Sequence, residues 1–171
     1  MSISTSFLIG FDDEANSTRK TLERIPEDKF AFKPHEKSMS MIELATHIAN
    51  VFGWGILTLT QDAFDMQPPG SAPYKQEPAK SVTELLDKFE HNAAAFRTAL
   101  AEASDDHLRA NWSLLKGGAV VFTMPRIACI HGEILNHIVH HRAQLGVYLR
   151  MNDVPVPAIY GPSADEGVMG M

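Results

Sequence analysis

Four long stretches of the chain repeat apolar residues at three- and four-residue steps, the period of an α-helix with one buried face. In residues 4–25 the repeat is Phe7, Leu8, Phe11, Ala15, Thr18, Leu22 and Ile25, and Pro26 ends it. A second helix starts at a capping box, Ser40-Met-Ile-Glu43, and carries Met41, Leu44, Ile48, Val51, Thr58 and Leu59 on one side to about Ala63. Gly53 and Gly55 weaken it locally and permit close helix approach. Met66–Lys80 holds five Pro and Gly residues and predicts a long cross-over loop. A third helix opens with Ser81-Val-Thr-Glu84 and runs to about Ala103 through Leu85, Phe89, Ala93, Phe96 and Leu100. Trp112–Leu115 and Ala119–Thr123 flank Gly117-Gly118, which predicts a short hairpin. The fourth helix is expected from Pro125, with Thr123 as its cap, to Asn152. Its stripe is Ile127, Ile130, Ile134, Ile138, Leu145 and Leu149. Val154–Pro162 reads as an extended tail and Ser163–Met171 as mobile.

The expected fold class is all-α: one antiparallel four-helix bundle over residues 1–171, with a long cross-over and a short hairpin before the last helix. A net charge of −6, with no run of Lys or Arg, argues against a nucleic-acid or anionic-membrane partner. No apolar run of about 18 residues stands out as a transmembrane helix. The first residues lack the pattern of a signal peptide. The single cysteine, Cys129, excludes an internal disulfide and fits a reducing cytoplasm. It lies near the apolar face and reads as packing.

Chemistry concentrates in His131–Gln144, which holds four of the eight histidines. His137 and His141 stand one turn apart on the same side of the helix, His141 within the apolar stripe and His137 at its edge. His140 and His131 point elsewhere. Two imidazoles so placed can bite one metal ion, and His47, on the core-facing flank of the second helix, is the candidate third ligand. If the second and fourth helices are neighbours, three neutral imidazoles would leave a coordination position open, as catalytic sites do. Core histidines satisfied by hydrogen bonds account for the same residues equally well on spacing alone.

The segment from Asn136 to Arg150, followed by Asn152 to Glu166, resembles the DinB family of DinB/YfiT-like bundles. The family pattern is one His in the second helix, matched by His47, and H-x-x-x-H-R-x-Q in the fourth, matched by His137, His141, Arg142 and Gln144. Ala143 stands where the family often has Gly. The resemblance covers essentially the whole chain. It implies a divalent metal, zinc or nickel, held by His47, His137 and His141, and a homodimer.

The resemblance does not fix a reaction. Relatives include thiol S-transferases that use low-molecular-weight bacterial thiols, a maleylpyruvate isomerase and hydrolases. The leading expectation is therefore a metal-dependent thiol S-transferase or hydrolase. The alternative is a non-catalytic, stress-inducible metal-binding bundle that acts through dimerisation or a partner. A bundle with a decayed site ranks last, because all three ligand positions are intact. Glu133, one turn before His137, is a weak candidate to orient a ring or act as a base, and a solvated carboxylate on the helix surface accounts for it more simply. Arg142 is a candidate clamp for an anionic substrate or, equally, one half of a structural ion pair, and Trp54 and Tyr160 are candidate pocket walls, though core filling explains both.

Overall fold

The computed structural model describes residues 1–72 and 74–167. Its long helices are α1 (Ile3–Leu22), α2 (Met41–Thr60) and α3 (Val82–Glu102), followed by a short α4 (Asp105–Arg109). The last helical stretch has three parts: α5 (Arg126–Cys129), a π-helical segment (Ile130–Asn136) and α6 (His137–Met151). Around the bundle α1 neighbours α3, α3 neighbours α2, α2 neighbours the last helix, and the last helix returns to α1. The adjacency of the second and last helices, the condition for bringing the three histidines together, is therefore met.

Helix α2 is the most buried of the four. Leu44, Ala45, Ile48, Ala49, Val51 and Phe52 have no solvent exposure. By length and mean hydropathy (1.2) it could cross a membrane, a property the sequence reading did not assign, but 56% of that window is buried inside the fold. Its apolar surface is thus largely accounted for by its own neighbours. Phe52 stacks on Phe96 at 5.6 Å and meets Phe11 edge-on at 4.9 Å, joining three helices in one aromatic centre. Gly55 makes this contact possible: a Cβ there would lie 2.5 Å from the Phe96 ring.

The helix starts follow their sequence signals, with two adjustments. Ser40 and Glu43 form a complete capping box. At α3, Ser81 caps the Glu84 amide, but the Glu84 carboxylate accepts from the Lys80 amide instead of closing the box. Thr123 is not a cap: it lies in a strand and shares a 2.7 Å hydrogen bond with Ser113. Pro125 is the N-cap, without a side-chain bond.

The all-α expectation needs a larger amendment, because a three-stranded sheet stands beside the bundle. The expected hairpin is there, as antiparallel β2 (Asn111–Lys116) and β3 (Ala119–Pro125). Gly117 and Gly118 both take positive φ, which a two-residue turn of this hand requires. The third strand, β1 (Ala63–Asp65), pairs parallel with β2. Helix α2 stops at Thr60, short of Ala63, as Gln61 turns extended. Buried Arg126 gathers the freed carbonyls, donating to Thr58 and Gln61 as well as to Asn111 and the Asp62 carboxylate. Asp65 accepts from the amides of Gly117 and Gly118, fastening β1 to the hairpin turn.

The cross-over loop is irregular, as expected, and Thr46 on α2 holds its end by accepting from the Ala79 amide. The tail differs from expectation. Asp165 pairs with Arg150, Glu166 with Arg24, and Ser163 donates to Val156, so this part is tied to the bundle. Pro73 and the end of the expected mobile tail, residues 168–171, lie outside the described residues.

Candidate metal centre

His47 projects from the middle of α2 and meets the first turn of α6. Its Nε2 lies 2.9 Å from Nε2 of His137. The His47 and His141 ring centres are 4.5 Å apart, and those of His137 and His141 are 4.6 Å apart. One nitrogen from each ring falls within 4.8 Å of the others. Three nitrogens bound to one ion at ~2.0–2.1 Å in tetrahedral directions would stand ~3.3 Å apart, so the cluster is close to the size a single ion needs.

The charge state suits the same use. Burial lowers the pKa of His47 to about 4, helped by the positive charge that His141 and His137 would carry. His137 is also lowered to about 4, by burial and then by His141 and His140. His141 is lowered by burial too, opposed by its bond to Gln144. All three rings therefore stay neutral at physiological pH, the form that offers a lone pair.

His141 Nδ1 donates to Gln144 Oε1 at 2.7 Å, which leaves Nε2 of His141 as its free donor atom. Gln144 also reaches His140 Nε2 at 3.1 Å. The exposed His140 is thus not turned away from the cluster but supports it through Gln144. From sequence, Gln144 entered only as a match to the family motif with no role assigned, and His140 was expected to point elsewhere. Their signal was there: Gln144 follows His141 by three residues and His140 by four, the spacings that meet on a helix.

Trp54 is brought to the site. Its ring lies 5.1 Å from His47 and 5.8 Å from His137, both edge-on. Glu133 lines the cavity that His137 also borders. Arg142 and Tyr160 are placed elsewhere. Arg142, 3% exposed, forms a 2.6 Å ion pair with Glu14 and donates to the Glu14 carbonyl and Thr18 hydroxyl of α1. The Tyr160 hydroxyl joins the same Glu14 carboxylate at 2.7 Å. None of the three histidines borders the cavity that Arg142 and Tyr160 line. Cys129 is buried beside Thr58, and burial raises its thiol pKa, which fits packing rather than reactivity.

A helical bundle with a histidine triad shared between its second and last helices defines a class, and comparison with known proteins gives that class its name. The DinB family model matches residues 1–168, and the chain belongs to the DinB family. It is 25% identical over 166 residues to the uncharacterized protein YrdA of Bacillus subtilis strain 168, covering 94% of this chain and 89% of that one. Two solved structures share the fold. A DinB-like protein from Bacillus cereus ATCC 10987 has TM-score 0.68 and 23% identity, over 93% of this chain and 98% of that one. The DinB-like protein YjoA of Bacillus subtilis has TM-score 0.68 and 21% identity, over 90% and 96%.

Proposed function

We propose that His47, His137 and His141 hold one divalent ion, zinc or nickel, and that the protein uses it for thiol S-transfer or hydrolysis. The observation that carries this reading is the convergence of three neutral, half-buried imidazoles, with His141 oriented by Gln144. Three protein nitrogens leave a position for a reactant, whereas structural sites are closed by a fourth protein ligand. A divalent ion there supplies Lewis acidity, which makes water or a thiol nucleophilic near neutral pH.

The chain's own residues supply the rest. Trp54 packs on two of the rings and restricts water on that side. Glu133, in the wall of the adjoining cavity, is the carboxylate nearest in sequence to His137 on that wall and is our candidate to take a proton at its Oε atoms.

Elemental analysis of protein purified without a metal-affinity tag tests the ligand set. Wild type is expected to carry about one equivalent of zinc or nickel, and His137→Ala almost none. Metal retained at the wild-type level in that variant removes His137 from the ligand set. A screen with thiol plus electrophile, and with esters, then tests the chemistry. Full metal loading without turnover in either assay would favour the non-catalytic bundle.

A further inference from the structure

The sheet, the end of α2 and the π-helical segment border a partly open cavity of about 150 Å³. Trp54, Phe64, Trp112 and Phe122 form much of its wall, and His137 and Glu133 border it. It therefore adjoins the histidine cluster through His137 and Trp54. A dry cavity of roughly this size accommodates a benzene ring.

Two further features narrow the occupant. Trp112 is 5% exposed, and its buried indole N–H has no acceptor among the described residues. Such groups are almost always paired in folded proteins, so an unpaired one beside a cavity takes its acceptor from whatever fills that cavity, water or a ligand. Trp112 borders the space, and because its N–H is closed off at rest, pairing with an occupant requires the indole to turn on binding. No Lys or Arg is among the described residues that line the cavity, and its one acid, Glu133, is exposed, so an anion would find no counter-charge there.

We infer that this cavity binds an uncharged molecule of single-ring size, mainly apolar, with one hydrogen-bond acceptor that pairs with Trp112. That this molecule is the substrate rests on the metal reading above. That the cavity binds it does not. Beside His137 the molecule's reactive end would face the cluster while its ring lies among the aromatic side chains.

Acetophenone and cumene serve as probes, since they have similar shape and only the first has an acceptor. Both are titrated into metal-free and zinc-loaded protein while the indole N–H resonances are followed by NMR. The Trp112 signal is the one lost in Trp112→Phe. Acetophenone is expected to shift it saturably and to bind about tenfold more tightly than cumene, the effect of one hydrogen bond to a buried group. Trp112→Phe should abolish the preference. Leu114→Phe, which narrows the cavity from its wall and leaves Trp112 in place, should abolish binding. Equal affinity for the two probes, no saturable shift, or unchanged binding in Leu114→Phe overturns the inference. Acetophenone binding by a protein that takes up no zinc would uphold the cavity and reject the metal reading. Zinc uptake without acetophenone binding would do the reverse.

Discussion

Burial disfavours the charged form of His47 and His137, and each ring's histidine neighbours disfavour it further. Both pKa values fall to about 4, below the ordinary imidazole value of 6.5. Protons then compete with a metal ion only at low pH. Zinc affinity is expected to stay nearly flat above the ordinary imidazole value and to collapse as pH approaches 4, where His47 and His137 take up protons. Competition titration across that range checks this, and a steep loss beginning near pH 6.5 would contradict it. The same shifts have a consequence for the metal-free protein. Between about pH 6.5 and 4 the unfolded chain binds protons at these two positions that the folded chain does not. Folding stability from these groups is therefore complete above the unfolded value and declines as pH falls through that window. Urea unfolding of metal-free protein at pH 7, 5.5 and 4.5 should show the decline, and His47→Phe should lessen it.

At the scale of elements, the contact between α2 and α3 sets where His47 stands. It depends on Gly55, because the Phe96 ring occupies the space a side chain would need. Gly55→Ala is expected to cost about 1–3 kcal/mol through overpacking, despite the better helix propensity of Ala. Gly53 is the control, since a Cβ there meets the Asn92 side chain at an ordinary 3.5 Å. Gly53→Ala should be neutral or stabilising by up to about 1 kcal/mol. Chemical denaturation of both variants checks the difference, and equal effects would show that Phe96 can move aside. The helices were legible because a 3.6-residue apolar period and two Ser-x-x-Glu starts are local signals. The strand β1 was not. It is three residues long, and its parallel partner lies about fifty residues away, so nothing local distinguishes it from the end of a helix. The π-helical segment was equally hidden, because its apolar residues keep a helical spacing and only the backbone bonding differs. It ends at His137, and such segments are frequent at functional sites.

Across the whole molecule, Arg142 shows why neighbours in sequence need not share a task. It follows His141 directly, so the motif suggested a substrate clamp as readily as a structural ion pair, and the second is what the structure shows, because one residue along a helix turns a side chain by about 100°. The histidines face α2, while Arg142 faces α1 and closes on Glu14 and Thr18. Spacing alone left the three histidines open to a core role, and the family motif singled them out together, whereas the direction of Arg142 depended on which helix packs on which side. Tyr160 of the tail completes this second cluster, so Arg142 links α1, the last helix and the C-terminal segment. Breaking a buried pair strands the remaining charge, since the Glu14 side chain is only 17% exposed. Arg142→Ala is expected to lower stability by about 3 kcal/mol and to leave zinc affinity at the wild-type level below its melting point. Arg142→Met combined with Glu14→Leu should recover most of the loss, because an apolar pair of similar size carries no desolvation penalty. Denaturation and zinc titration on the three proteins check both statements. A variant that keeps its stability but loses turnover would return Arg142 to the substrate, and its bond to Glu14 would then be a resting contact rather than a structural tie.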